Sequence, residues 1–232
     1  DQVTAAVADD IDWLSAAIED NNVVLKALTA NDGDKAREAV VTVTAGLAAN
    51  STSATITVTQ RVAVPEGLTI GAPYGGGMIV EVGADESYVK IISLTETKVV
   101  WSTENEDTGL PNTNADGLGN TAKLQAMPNY AAGAYPAAKF CTDMGEGWYL
   151  PSREEVKVMS DTLKGIQAEV NTYLEALGGT VLDFSAYYWV SNQHATDFTK
   201  AFTMRLRDKG AASYAKSTTP RPVRAMKTIN LK

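Results

Sequence analysis

Hydrophobic and polar positions follow two different patterns, which divide the chain into an N-terminal and a C-terminal part. In the first part, AREAVVTVTAG (36–46) and SATITVTQ (53–60) alternate apolar with polar residues and contain many β-branched side chains. Alternation with a period of two is typical of strands that bury one face. Turn-rich stretches, NDGDKA and GLAANSTS, flank the first of these segments. The pattern therefore predicts a small antiparallel β domain over residues 1–62.

The second part mixes strand and helix patterns. GGGMIVEVG and YVKIISLTE indicate a hairpin, KVVWS continues the sheet, and the polar residues 102–122 are predicted to form a long loop. Helices clustered in the middle of a β chain indicate an α+β domain over 70–232, after a linker at 63–69. The predicted helices are 131–145, 152–165 and 166–179, and the predicted later strands are 186–193, 200–208, 213–218 and 221–228.

The segment GEGWYLPSREEVKVM joins large aromatic residues to the start of a predicted helix. Ser152 precedes Glu155 by three residues, which is the spacing of a capping box. Trp148 and Leu150 are then expected beneath the helix start, and Trp189 of YYWVS is expected in the interior as well. The alternative is that these aromatic side chains line a ligand pocket, but aromatic residues beside a helix cap usually belong to the core.

Composition argues against several classes of binding partner and against an intrachain disulfide. The formal net charge of -8 argues against nucleic acid and anionic lipid as binding partners. Cys141 is the single cysteine, so an intrachain disulfide is excluded. No apolar run approaches the ~18 residues of a transmembrane segment. The opening DQVTAAV has no signal-peptide pattern, and we expect the sequence to be a mature or trimmed form.

The pieces DWL, LTAN, AREAVVTV and ITVTQ occur in this order within residues 11–60. Together they resemble the BACON domain, a small immunoglobulin-like module. The resemblance implies that Trp13 fills the core, Asn31 lies in a turn and Arg37 begins the next strand. The family has a strand hairpin before this tryptophan, and little sequence precedes Trp13. The resemblance thus implies a β-sandwich that lacks its first strands or begins in a trimmed chain.

A second resemblance spans residues 70–226 and is based on IGAPYGGGMIVEV, VVWS, GLGNT, AAKFC, GWYLPSREEV, YYWVSN and RPVRAM. These segments resemble the C-terminal domain of collagen-like bacterial adhesins, also found in the major paralogous surface proteins of fibre-degrading bacteria. The implied fold class is a small immunoglobulin-like β-sandwich followed by a C-type-lectin-like α+β domain. Both resemblances imply a cell-envelope protein, on the outer surface or in the periplasm, anchored as a lipoprotein upstream of Asp1.

The polar loop contains the one sequence pattern that resembles a metal-binding site. Asn112, Asn114 and Asp116 place oxygen atoms at alternate positions before a glycine, as in the first half of a calcium loop. Lys123 occupies the twelfth position, where such a loop needs a bidentate glutamate. The Glu-Pro-Asn type triplet of calcium-dependent lectins is also missing from the sequence. These departures argue against calcium, and turn formation by Asn and Asp is the alternative.

Aromatic and basic side chains supply the other binding candidates. Without calcium, sugar binding needs aromatic stacking with a polar rim, whereas core packing is the alternative for each aromatic residue. The late arginines, including Arg221 and Arg224, form either a patch for sulfate or sialic acid or a solvated strand face. His194 shows no triad pattern. The predicted ligand-binding residues are Trp101, Tyr130, Tyr135, Tyr187, His194, Arg205 and Arg207, and Tyr74 and Tyr214 are further aromatic candidates.

Three functional hypotheses follow from the sequence. The first is a non-catalytic adhesin that binds a glycan or a host surface protein through residues 102–130 and 187–197, with the β domain as a spacer. The second is a surface-assembly subunit that binds other proteins, in which a partner strand fills the missing hairpin. The third is an enzyme, by analogy with oxidising enzymes of the lectin-like fold that use paired cysteines, and a single cysteine does not support it.

Overall fold

The computed structural model divides the chain into two compact units, residues 1–66 and 67–232. Residues 63–67 of the predicted linker at 63–69 lie outside the described residues. The residues that the structure describes are 3–31, 36–47, 50–60, 68–84 and 86–231.

In the described residues of the first unit, every regular secondary-structure element is a β-strand. β1, β4 and β5 form one antiparallel sheet in the order β1-β4-β5, and β2 pairs with β3 in a second. The two alternating segments form strands, as predicted, and they pair antiparallel with each other from Arg37 opposite Gln60 to Ala45 opposite Thr52. The strands are β1 (Val3–Val7), β2 (Leu14–Glu19), β3 (Asn22–Ala27), β4 (Arg37–Ala45) and β5 (Thr52–Gln60).

The core of the first unit is small. Its buried apolar members among the described residues are Trp13, Leu14, Ala39 and Val41. The Arg37 guanidinium carbon lies 4.7 Å from the centroid of the Trp13 ring, so the arginine that begins β4 covers the tryptophan. The expectation that Trp13 fills the core is confirmed.

The β2–β3 hairpin has no counterpart among the predicted strands. Its turn residues, Asp20 and Asn21, have φ angles of 49° and 63°. Asp and Asn tolerate this left-handed region better than other non-glycine residues, which explains a two-residue turn without glycine.

The second unit contains two antiparallel sheets and four helices in its described residues. The larger sheet has the order β6-β7-β8-β13-β9 and the smaller has the order β10-β11-β12. Its strands are β6 (Pro73–Tyr74), β7 (Gly77–Val82), β8 (Tyr88–Val99), β9 (Trp148–Tyr149), β10 (Tyr187–Gln193), β11 (Lys200–Arg205), β12 (Gly210–Ala215) and β13 (Arg221–Asn230). Its helices are α1 (Gly117–Gln125), α2 (Pro136–Thr142), α3 (Arg153–Thr162) and α4 (Gln167–Ala176).

The core of the second unit joins both sheets to helices α3 and α4. Each element contributes fully buried apolar side chains, which close-pack as expected for a protein interior. The contributors include Met78, Ile92 and Met226 from the larger sheet, Val190 and Met204 from the smaller sheet, and Val156, Leu163, Val170 and Leu174 from the helices and their ends. The predicted β7–β8 hairpin is confirmed.

The long loop predicted at 102–122 is shorter than expected, because helix α1 begins at Gly117. The Asp116 side chain accepts a hydrogen bond from the Gly119 N–H at 2.7 Å and caps this helix. The glycine and asparagine content of GLGNT hid the helix, since both residues have low helix propensity. No helix in the described part of the chain is long and apolar enough to span a membrane.

Candidate functional site

The segment GWYLPSREEV forms scaffold around one buried carboxylate. Glu155 Oε2 accepts from the Ser152 N–H at 2.8 Å, the Ser152 hydroxyl at 2.9 Å and the Gly117 N–H at 3.1 Å. Glu155 Oε1 accepts from the Tyr149 hydroxyl at 2.9 Å and from Lys90 Nζ at 3.2 Å. The predicted capping box is present. This carboxylate therefore ties the starts of α1 and α3 to strands β8 and β9.

The tryptophans of the second unit lie inside it. Trp148 is 7% exposed and Trp189 is 0% exposed. The indole N–H of Trp189 donates to the Val99 carbonyl at 3.0 Å, so its polar atom is satisfied within the protein. The scaffold interpretation of WYLPS and YYWVS is confirmed by this burial.

The late arginines have different surroundings. Arg224 is 3% exposed, and the solvated-face alternative is wrong for this residue. Its guanidinium donates to the carbonyls of Ser93 and Leu94 at 2.9 Å, to the Thr180 carbonyl at 2.8 Å and to the Glu96 carboxylate at 2.8 Å. Arg224 thus holds β8, β13 and the segment before β10 together.

The polar run that imitates a calcium loop makes contacts within the protein. The Asn114 side-chain oxygen accepts from the amides of Asn120 and Asn192, both at 2.9 Å. Asp116 caps α1, and the Asn112 carbonyl accepts from an arginine of α3 at 2.7 Å. Within the described ranges, no group of three or more His, Cys, Asp or Glu side chains could hold a metal ion. The contacts of Asn114 and Asp116 agree with the turn and cap role that the sequence favours, and calcium binding by Asn112, Asn114 and Asp116 stays the untested alternative.

Two predicted ligand-binding aromatic residues belong to a buried cluster. Trp101 and Tyr135 are 1% and 0% exposed and meet edge to face, with ring centroids 6.2 Å apart. The Tyr135 hydroxyl donates to the Glu106 carboxylate. Lys216 lies beside them, with Nζ 5.2 Å from the Trp101 centroid and 2.8 Å from the Glu106 carbonyl oxygen. These two aromatic side chains anchor the 102–110 segment and present no ring face to solvent.

Burial has a second consequence for this cluster. Lys216 is 0% exposed. Desolvation lowers the pKa of its ammonium group to about 8, although the nearby Glu106 and Asp107 carboxylates act in the opposite direction. A cation is thus held in the interior at a cost, and its partner is a backbone carbonyl.

Tyr130 and His194 are partly buried and packed against other rings. Tyr130 stacks on Tyr135 with centroids 6.3 Å apart, and its hydroxyl lies 2.6 Å from the Thr142 hydroxyl. The His194 ring stacks on Phe202 with centroids 5.7 Å apart. His194 Nδ1 accepts from the Asp197 N–H at 3.1 Å, so this histidine orders the turn between β10 and β11.

The structure brings Tyr187 and Arg205 together with Tyr214 and Arg221 in one surface cluster, which we name the tyrosine–arginine patch. Tyr187 and Arg205 are directly opposite on β10 and β11. The two tyrosine rings lie 6.0 Å apart at an interplanar angle of 66°. The guanidinium carbon of Arg205 lies 4.9 Å from the Tyr187 centroid, and that of Arg221 lies 3.8 Å from the Tyr214 centroid. All four side chains remain partly exposed.

The two guanidinium groups of the patch differ in charge balance. Arg205 binds Asp208 through two N–H groups, at 2.8 and 2.6 Å, and this pairing lowers the pKa of the Asp208 carboxyl. Arg221 has no carboxylate within ion-pair distance among the described residues, and its buried Nε has no hydrogen-bond partner. Arg207 is exposed in the turn after β11, where its N–H donates to the Phe184 carbonyl at 2.8 Å.

Arg221 was missing from the predicted ligand-binding set. Arg221 and Arg224 are three residues apart on one strand, and an odd spacing places side chains on opposite faces. The odd spacing therefore predicts that the two arginines have different environments. It could not show which face is buried, because this depends on which strand lies beside β13.

Comparisons with known proteins identify the fold and not the function. No protein-family model matches the chain, and no curated protein matches it significantly. The crystal structure of a fimbrial protein from Bacteroides ovatus is similar, with a TM-score of 0.55 and 13% sequence identity. The match covers 97% of this chain and 63% of that one, so the chain spans less than two thirds of its structural neighbour. The shared feature is a β-rich fold, and the BACON and adhesin-domain resemblances stay predictions.

Proposed function

We propose that this chain is a non-catalytic cell-envelope protein that binds glycans or host-matrix components through its second unit. In this proposal the first unit is an immunoglobulin-like spacer and the second has a C-type-lectin-like arrangement. The observation that carries the proposal is the tyrosine–arginine patch. It is the place where two predicted ligand-binding residues, Tyr187 and Arg205, meet at the surface next to a second tyrosine and a second arginine.

The chemistry of the patch fits carbohydrate. Partly exposed tyrosine rings offer apolar surface to the C–H groups of a sugar, and guanidinium groups offer hydrogen-bond donors to its hydroxyls. Tyr187 lies on β10 and Tyr214 on β12, so the rings are held on a sheet rather than on a free loop. A rigid platform lowers the entropic cost of binding.

Two side chains that a catalytic function would use are engaged elsewhere. Cys141 is 0% exposed, its Sγ lies 3.3 Å from the Ala137 carbonyl oxygen, and burial raises the pKa of its thiol well above the usual value. His194 uses Nδ1 to accept backbone N–H groups of its own turn. This arrangement supports the non-catalytic proposal.

A glycan array tests the proposal directly. The folded wild-type chain is expected to bind a subset of the glycans, and Tyr187→Ala with Tyr214→Ala is expected to weaken binding at least about tenfold, which corresponds to ~1.4 kcal/mol. Tyr173→Ala is the matched control, because Tyr173 is 50% exposed on α4 and outside the patch. A blank array with properly folded wild-type protein would count against the proposal.

The second candidate function is assembly with other proteins, and strand β5 favours it. β5 (Thr52–Gln60) is one of the two edge strands of the β1-β4-β5 sheet formed by the described residues, and its first six residues are exposed. Its sequence, TSATITVTQ, contains no charged residue and no proline. Such an edge can accept a strand from another chain, and charges or prolines normally prevent this. The structural neighbour named a fimbrial protein fits the same candidate.

Light scattering as a function of protein concentration tests assembly. If β5 accepts a partner strand from a second copy, the wild-type chain is expected to polymerise as its concentration rises. Thr57→Lys, which adds a charge to the exposed edge, is expected to keep the chain monomeric. A strictly monomeric wild-type chain over the whole concentration range would exclude self-assembly through this edge.

A further inference from the structure

We infer that the tyrosine–arginine patch selects carbohydrates that carry carboxylate or sulfate groups, with Arg221 as the anion-binding side chain. The inference rests on the proposed glycan-binding function and adds the class of ligand. It depends on the contrast between the two arginines of the patch, which share aromatic contacts and differ in their charge partners.

Arg221 is placed to bind an anion. Its guanidinium lies against the Tyr214 ring, with the central carbon 3.8 Å from the ring centroid, so the ring holds the guanidinium group in place. Among the described residues, no carboxylate neutralises it and none of its N–H groups has a hydrogen-bond partner. A guanidinium is always charged and presents paired N–H donors that match the oxygens of a carboxylate or a sulfate. The Nε donor is buried, so the two terminal Nη groups of Arg221, which have no hydrogen-bond partner among the described residues, are the donors available to such a group.

Arg205 serves as the internal comparison. Asp208 occupies two of its N–H groups, and the pair carries no net charge. Arg205 therefore positions the Tyr187 ring rather than attracting a ligand. The patch as a whole keeps one positive charge, from Arg221, on a protein whose formal net charge is -8. Anion selection must then come from short-range contact with Arg221, because the overall charge of the protein repels anions.

The tyrosines define the rest of the ligand. Tyr187 and Tyr214 are inclined at 66°, which gives an angled apolar surface beside the Arg221 guanidinium. A free inorganic anion would gain nothing from this surface. A sugar ring with a charged substituent would use both features, since its C–H groups contact a ring while its carboxylate or sulfate pairs with Arg221. The patch therefore fits an acidic sugar better than a bare anion.

Calorimetric titration with three oligosaccharides of equal length tests the inference. Hyaluronan hexasaccharide carries carboxylates, chondroitin sulfate hexasaccharide carries carboxylates and sulfates, and chitohexaose is neutral. The wild-type chain is expected to bind at least one acidic probe about tenfold or more tighter than chitohexaose. Tighter binding of chondroitin sulfate than of hyaluronan would identify sulfate as the preferred group, and equal binding would identify the carboxylate.

Variants connect that preference to Arg221. Arg221→Gln is expected to abolish the preference for the acidic probes, and Arg221→Lys is expected to retain part of it, because the charge remains and the paired donors are lost. Arg207→Gln removes the same charge from an exposed arginine outside the patch and is expected to leave the preference unchanged. Thermal unfolding of each variant confirms that it is folded.

The outcomes separate this inference from the function on which it rests. Equal affinity for acidic and neutral probes, or a preference that survives in folded Arg221→Gln, would overturn the anion-binding role while the glycan-binding proposal stands. A wild-type chain that binds none of the three probes and nothing on the glycan array would overturn both. Binding of free sulfate as tightly as chondroitin sulfate would show that the tyrosines do not contribute and would also refute the inference.

Discussion

Two cation–aromatic contacts lie close together at the end of strand β12 and have opposite surroundings. Lys216 is fully buried beside Trp101, and the Glu106 carbonyl accepts from its ammonium group. Two residues earlier, Tyr214 is partly exposed, and its ring contacts Arg221, which makes no ion pair with any residue the structure describes. The same type of contact is scaffold in one case and a candidate binding surface in the other. What differs is the 102–110 segment, whose backbone covers Lys216.

Buried charge is the feature that marks scaffold in the second unit. Glu155, Arg224 and Lys216 are each at most 4% exposed, and each donates to or accepts from groups on other elements. The guanidinium groups of Arg205 and Arg221 instead lie on aromatic rings at the surface. If this comparison is right, substitutions in the first set should affect folding and substitutions in the second set should affect binding.

The largest effect on stability is expected from Glu155→Ala. The substitution leaves the N–H of Gly117 and both donors of Ser152 without their carboxylate, and Lys90 keeps only Glu81, at 3.5 Å, as its ion-pair partner. Breaking such a buried charged network costs about 3–5 kcal/mol. Urea unfolding followed by tryptophan fluorescence measures the loss. Glu154→Ala is the matched control, with an expected loss of at most ~0.5 kcal/mol, because that side chain is on the same helix turn and 35% exposed. Equal losses in both variants would contradict the scaffold role.

A smaller effect is expected from the titration of Lys216. Its pKa is about 8 in the folded chain and near the ordinary value of 10.5 when unfolded. Because the unfolded state holds the proton more tightly, the cost of the buried charge is complete below pH 8 and is relieved as the pH rises toward 10.5. The free energy of unfolding should therefore rise by on the order of 1–2 kcal/mol between pH 7 and 9.5.

The control for this pH dependence is Lys216→Met, which removes the titrating group. The difference in unfolding free energy between wild type and Lys216→Met isolates the lysine from the tyrosines, several of which have pKa values raised by burial. A difference that stays constant from pH 7 to 9.5 would show that Lys216 is not buried as a cation.

The smallest effect on stability is expected from Arg221→Gln. A cation–aromatic contact near the surface contributes about 0.5–1 kcal/mol, and the partly exposed Arg221 makes no ion pair with a described residue that would add to it. Thermal unfolding should therefore show a loss within that range, although binding of acidic oligosaccharides is lost. A destabilisation comparable to that of Glu155→Ala would show that Arg221 is a scaffold residue, and it would contradict the distinction between buried scaffold charges and surface binding charges.

The predictions from sequence were most successful where local chemistry decides the outcome. The capping box at Ser152 and Glu155 depends on one residue spacing and a serine hydroxyl, and the structure contains it. The strand assignment of β4 and β5 follows from alternation alone, whereas their pairing with each other is seen only in the structure. The β2–β3 hairpin was missed because its turn, at Asp20 and Asn21, has no glycine, and α1 was missed because GLGNT imitates a loop.

Local sequence chemistry was sufficient to predict strands β4 and β5, the β7–β8 hairpin, the start of α3 and the interior position of Trp148 and Trp189. These features depend on periodicity, on a capping spacing and on the size of an aromatic side chain, which are local properties. Three-dimensional packing is the reason that Trp101 and Lys216 are covered, that Arg224 is buried and that Tyr187, Tyr214 and Arg221 meet at the surface. Strand order and loop coverage determine these arrangements, because they bring together residues distant in sequence and set which charges remain in water.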